Sequence, residues 1–102
     1  MNRRGYYILA GHEPRVATLK QWATANRADW VVSKSKVPGG EVSTVFLGID
    51  HRMFGEGPPV LFETMVFGGR MDEHQMRFCT WKEALAHHKQ LVQQLRGYAS
   101  DE

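Results

Sequence analysis

The chain predicts an α+β fold, an antiparallel sheet of four to five strands with two helices packed on one face, in the order β-α-β-β-β-(β)-α. Three observations carry this. Ser43 to Gly69, STVFLGIDHRMFGEGPPVLFETMVFGG, holds two strand-like runs around a loop rich in glycine and proline. Thr80-Trp81-Lys82-Glu83 has capping-box form ahead of a long stripe of helical period. Strands gather in the middle of the chain and do not alternate with helices, which argues against a parallel sheet.

Taken in order, Tyr6 to Ala10 is a short apolar run stopped by Gly11 and reads as an opening strand. Pro14 suits a first helical turn, and Val16, Leu19, Trp22 and Ala23 follow at helical spacing, so an amphipathic helix is predicted to end near Asn26. Trp30 to Lys36 alternates, with Ser33 and Ser35 on one face and Lys34 and Lys36 on the other. Lysines suit an edge strand, where they discourage unwanted pairing.

Pro38, Gly39 and Gly40 mark a turn before a strand from Val42 to Asp50, and the next strand is expected from Pro59 to Phe67. Met76 to Cys79 adds a short last strand. In the helix after Thr80, Trp81, Ala84, Leu85, His88, Leu91, Val92 and Leu95 form one stripe, with Gly97 as the expected C-cap and Asp101 and Glu102 expected to fray.

The 102 residues, 42% of them apolar, suit a single domain, 1–102, with one core. Thirteen Lys and Arg against eleven Asp and Glu are scattered along the chain. Neither helix carries the basic face that phosphate contacts need, so a nucleic-acid partner ranks last. Cys79 is the single cysteine, which excludes an intrachain disulfide and a thiolate metal cluster. No run approaches the ~20 residues of a membrane span. The apolar run after Arg3 and Arg4 is shorter than the ~7–15 residues of a signal-peptide core. A cytoplasmic setting is the expectation, without a metal or a cofactor.

The central hairpin is where chemistry is sought. Pairing Asp50 with Pro59 puts Ser43, Val45, Leu47 and Ile49 on a core face with Val60, Phe62, Thr64 and Val66. The second face then carries Phe46, Leu61, Met65 and Phe67, an apolar patch that suits an interface in a homo-oligomer or with a host protein. Glu63 lies within that patch, opposite Phe46 or, with a small register shift, opposite Gly48, whose missing side chain leaves room for a ligand or partner to approach the backbone.

Asp50 and His51 beside Glu63 offer a base, an orienting carboxylate and a charge anchor, a catalytic set if the chain is an enzyme. The plainer reading makes Asp50 a turn residue, His51 a solvated loop residue, and Glu63 the partner of Arg52, Arg70 or Arg77. Gly55 to Pro59 offers a glycine-rich concavity without the lysine and hydroxyl of a P-loop. The ligand-binding set read from these features is Asp50, His51, Arg52, Gly57, Pro58, Glu63 and Arg77. Tyr6, Tyr7, Trp22, Trp30 and Trp81 have rings that can stack a nucleobase or fill the core. His88, on the apolar stripe, reads as a hydrogen-bonded core histidine, and His12, His74, His87 and His88 show no recognised metal spacing.

Tyr7, Ile8, Leu9, Gly11, His12 and Pro14, then Ser43 to His51, Gly57 to Gly69, and Thr80, Trp81, Glu83, Ala84 and His87 resemble a family of small phage and prophage proteins. The resemblance spans most of the chain. It implies a bacterial host cell and an accessory role on host machinery, either by binding a host protein or by capturing or destroying a nucleotide signal used in defence. It assigns no catalytic residue. Together these readings give first a non-enzymatic protein that holds a small polar, nucleotide-derived ligand on or between subunits. Second stands a nucleotide or phosphodiester hydrolase using His51 as acid or base, and third a host-protein inhibitor.

Overall fold

A computed structural model describes residues 5–52 and 55–100. Arg3 and Arg4, positions 53 and 54 within the central loop, and the predicted fraying ends at Asp101 and Glu102 lie outside the described residues. The described residues form β1 (Tyr6–Ala10), β2 (Glu13–Ala17), α1 (Leu19–Thr24), a 3-10 turn (Arg27–Trp30), β3 (Val31–Val37), β4 (Gly40–Phe46), β5 (Phe62–Gly68), β6 (Gln75–Phe78) and α2 (Trp81–Ser100). β3-β4-β5-β6 make an antiparallel four-stranded sheet, and β1-β2 a separate two-stranded one. The α+β class and the antiparallel sheet are as expected, with β3 at an edge.

The hairpin β1–β2 corrects the first predicted helix. Pro14 pairs with Leu9 in a strand, Gly11 turns the chain at a positive φ of 64°, and Val16 is 77% exposed. The helix begins only where Thr18 caps it, its hydroxyl accepting from the Gln21 N–H while the Gln21 side chain accepts from the Thr18 N–H. A proline fits a two-stranded edge as readily as a first helical turn, and here the downstream cap decides. Trp30 likewise belongs to the 3-10 turn and not to β3.

α2 lies over all four strands of the larger sheet, whereas α1 packs against β1 and β2, so one helix covers the sheet and the second belongs to the hairpin. α2 starts where expected, with the hydroxyl half of the cap: Thr80 Oγ1 accepts from the Glu83 N–H, while the Glu83 carboxylate accepts from that hydroxyl. It runs past Gly97 to Ser100, so Gly97 is no C-cap.

The β4–β5 register pairs Phe46 with Phe62, Val45 with Glu63, and Ser43 with Met65. That is one residue from the sequence-based pairing, and a one-residue slip exchanges the faces. Val42, Thr44 and Phe46 therefore face α2 together with Phe62, Thr64 and Val66. The opposite face holds Ser43, Val45, Glu63, Met65 and Phe67. One apolar cluster joins Val37, Val42 and Val66 to Leu91, Val92 and Leu95 of α2; a second joins Trp30, Phe46, Leu61, Phe62 and Ala84, with Tyr7, Trp22 and Trp81 packed on it. The hairpin is fastened to this second cluster by the Tyr7 N–H bond to the Gly48 carbonyl at 2.8 Å.

Two glycine sites depend on the missing side chain. A β-carbon on Gly48, where φ is +76°, would lie 2.5 Å from the Trp30 ring and 2.8 Å from Trp22 Nε1. The room expected there for a ligand is filled by indoles. At the other end of the sheet, the Gly39-Gly40 turn meets Gly68 and Gly69 backbone on backbone, and a β-carbon on Gly40 would stand 2.6 Å from the Gly68 carbonyl oxygen.

Candidate functional site

Asp50 is buried, and its carboxylate is fully engaged. Oδ1 accepts from the N–H of Arg52 and of Val60, both at 2.9 Å, and Oδ2 meets Arg52 Nε at 2.6 Å. Arg52 Nη1 continues to the Gly57 carbonyl at 2.6 Å. Burial alone would raise the Asp50 pKa, but the two backbone N–H bonds and the guanidinium outweigh it and hold the carboxyl below the ordinary value of 3.8. The loop carbonyls of Gly55 and Gly57 turn inward on Arg52, so the concavity expected to offer N–H groups to an anion is closed around a guanidinium.

The expected triad is not assembled. The half-exposed His51 donates its N–H to the Val60 carbonyl at 2.9 Å. Glu63, on the sheet face away from α2, accepts from Gln75 Nε2 and from Arg77 Nε at 3.0 Å. Among the described residues no hydrogen bond or ion pair joins Glu63 to Asp50 or His51. Pro58 contributes its carbonyl to a weak contact of 4.0 Å from Cys79 Sγ. Burial, with the Glu83 and Asp50 charges, pushes the Cys79 thiol up and leaves it protonated, although Arg52 pulls the other way.

The interface set is corrected as well. Phe46 and Leu61 are 2% and 1% exposed within the core, because the true register turns Phe46 toward α2. Met65 remains on the open face, and Phe67 there is 53% exposed.

Among the described residues, a cleft and a groove stand elsewhere. A cleft of about 390 Å³ opens where the tip of the β1–β2 hairpin meets the start of α2, lined among others by Tyr7, His12, Pro59, Cys79, Trp81 and Lys82. Gly11 and His12 form the hairpin tip, and the His12 imidazole lies flat on the Trp81 indole with ring centroids 3.7 Å apart and planes 7° from parallel. Pro59 and Leu61 bring the loop side of the cleft. By contrast, Trp22 and Trp30 are committed to the Gly48 corner, where the Arg27 guanidinium stacks over both at 4.5 and 4.0 Å.

The second concavity is a groove of about 520 Å³ between β3 and α2, lined by Ser33, Ser35, His88, Lys89, Val92, Gln93 and Arg96. His88, 2% exposed, joins it to the core: Nε2 is 2.9 Å from Ser35 Oγ, Nδ1 is 2.8 Å from Thr44 Oγ1, and Thr44 Oγ1 is 2.6 Å from Thr64 Oγ1. Burial, then the neighbouring His87, lowers the His88 pKa below 6.5, so the ring is neutral at pH 7 and carries one proton.

The hydrogens can then be ordered by accounting. Thr64 and Thr44 are fully buried, and among the described residues Thr44 is the one hydrogen-bond neighbour of the Thr64 hydroxyl. If Ser35 donated to His88, the relay would run inward and end on a Thr64 hydrogen with nothing to accept it, at a cost of about 1–3 kcal/mol. The opposite order satisfies every buried hydrogen. Thr64 donates to Thr44, Thr44 donates to Nδ1, and Nε2–H donates to Ser35, whose own O–H is left for the groove.

No protein-family model, curated protein or solved structure matches this chain. Of the residues around the two concavities, Trp81 and His88 were visible in the sequence as a ring-bearing helix start and a core histidine. His12, Lys82, Ser35 and Lys89 were not singled out as ligand contacts. The alternation of β3, which puts Ser33 and Ser35 on one face, was the available signal for the groove.

Proposed function

We propose that this chain is a binding protein, without turnover of its own, for a small polar ligand of the nucleotide class, held in the cleft between the hairpin tip and the start of α2. The observation that carries the reading is the His12–Trp81 stack, in which one face of the indole already accepts a flat nitrogen heterocycle at van der Waals distance. A nucleobase has the same shape and the same π-face. It would displace or extend the imidazole, while the Lys82 ammonium at the rim meets the anionic end.

Asp50 and Arg52 hold Gly57 and Val60, on either side of the Pro59 that lines the cleft. Accessory proteins of the phage type, which the sequence resembles, gain from such capture when a host uses nucleotide signals for defence. That context supports the class of ligand.

The test is retention. The purified chain is incubated with linear and cyclic nucleotides and ADP-ribose, washed and denatured, and the released molecules are identified by mass spectrometry. The expected result is one intact compound, retained at least tenfold less by Trp81→Leu and unaffected by His51→Ala. A converted product would overturn binding without turnover, and failure to retain any nucleotide would overturn the ligand class.

A further inference from the structure

The groove between β3 and α2 is distinct from the cleft at Trp81 and, among the described residues, shares no lining residue with it. Its two walls are rows of donors. Ser33 and Ser35 alternate onto one face of the strand, while Lys89, Gln93 and Arg96 recur at helical three- and four-residue spacing along one side of α2. No acidic side chain lines the groove among the described residues.

What decides the chemistry is the direction of the relay behind it. Ser35 Oγ accepts the His88 Nε2–H, so its remaining O–H can only donate outward. That order excludes a serine activated as a nucleophile, which would need to give its proton to the imidazole. It also lines up the dipoles of three successive hydrogen bonds with their positive end at the groove, which strengthens the last donor. Arg96 adds a positive charge held in place, its Nε and Nη2 bonding the Lys36 carbonyl at 3.2 and 2.9 Å.

We propose that this groove is an oxyanion site for the phosphate group of a small molecule, with the Ser35 hydroxyl and the Lys89 ammonium as the donors that touch it and Arg96 as the fixed charge at its end. Phosphate fits better than carboxylate because the donors stand on two different walls. The oxygens of a phosphate diverge tetrahedrally, whereas the two of a carboxylate lie in one plane. The remaining volume, with Val92 at its side, accommodates the body of the molecule.

The test is a titration of the ¹⁵N-labelled full chain with inorganic phosphate, with acetate and chloride at matched ionic strength. Saturable amide shifts are expected at Ser33, Ser35, Lys89, Gln93 and Arg96, tighter for phosphate than for acetate. Ser35→Ala should weaken phosphate binding about tenfold, and Lys89→Gln, on the exposed side of α2, should weaken it and reduce its salt dependence. Absence of a saturable shift, equal binding by Ser35→Ala, a preference for acetate, or shifts centred on Lys34 and Lys36 would each overturn the assignment. Shifts confined to Trp81 and Lys82 would overturn it as well, and would leave the nucleotide reading of the cleft standing.

Discussion

Asp50 and His88 are both buried titratable groups with every polar atom of the side chain engaged, yet the two clusters end differently. The Asp50 cluster is closed: its carboxylate takes two backbone N–H groups and a guanidinium, and the guanidinium takes the loop carbonyls. The His88 relay is open, beginning at a fully buried threonine and finishing on a serine at the wall of a groove. Residue type pointed the other way, since an Asp-His pair looks like chemistry and a histidine on an apolar stripe looks like core. Availability for a ligand depends on where the last hydrogen goes.

The comparison can be broken most directly at its closed half. Asp50→Ala leaves the Val60 and Arg52 N–H groups and the Arg52 guanidinium without their common acceptor, and should cost about 3 kcal/mol in urea unfolding. A loss below about 1 kcal/mol would mean that the loop is held by something else. Next comes the middle of the open relay. Thr44→Val strands both the Thr64 hydroxyl and His88 Nδ1, and should cost about 2–3 kcal/mol, whereas Thr64→Val removes only the first donor and should cost under about 1 kcal/mol. Equal losses would reverse the direction inferred for the hydrogens.

Acid should separate the two clusters by pH. The folded chain holds His88 neutral below its ordinary value of 6.5, so the unfolded chain binds more protons there and stability falls as pH drops from 6.5 toward the folded pKa. The slope is at most about 1.4 kcal/mol per pH unit for one group. His87, lowered by burial and by His74, adds to it, and His88→Gln should remove only its own share. The Asp50 contribution stays intact in that window and is lost only below 3.8, as the carboxylate takes up its proton. Denaturant midpoints measured from pH 7 to pH 3 resolve the two steps. The smallest effect belongs to Ser35→Ala, where water in the groove replaces the lost acceptor and stability should change by less than about 1 kcal/mol.

Much of the frame was legible in local signals. The Thr80 cap, the alternation of Ser33 to Lys36 and the apolar stripe through His88 each follow from spacing alone, and each is where the sequence places it. The hairpin at Pro14 was not legible, because strand and first helical turn accept the same proline. The β4–β5 register was missed by one residue, since the loop between them holds its own pairing, with His51 bonded to Val60 across the Asp50 pin. That single step moved Phe46 from a supposed interface into the core. The His12–Trp81 stack joins residues distant in the chain, and no local pattern announces such a contact.

The glycine contact between the β3–β4 turn and the end of β5 bears on how the groove meets its guest. With backbone set directly against backbone at Gly39, Gly40, Gly68 and Gly69, the end of β3 is anchored by main-chain geometry, with no rotatable side chain in between. The strand wall bearing Ser33 and Ser35 is thus preorganised, and ordering on binding falls mainly on the longer side chains of α2 opposite. A rigid comb of short hydroxyls facing the adjustable Lys89 ammonium makes selectivity a property of the strand and capture a property of the helix.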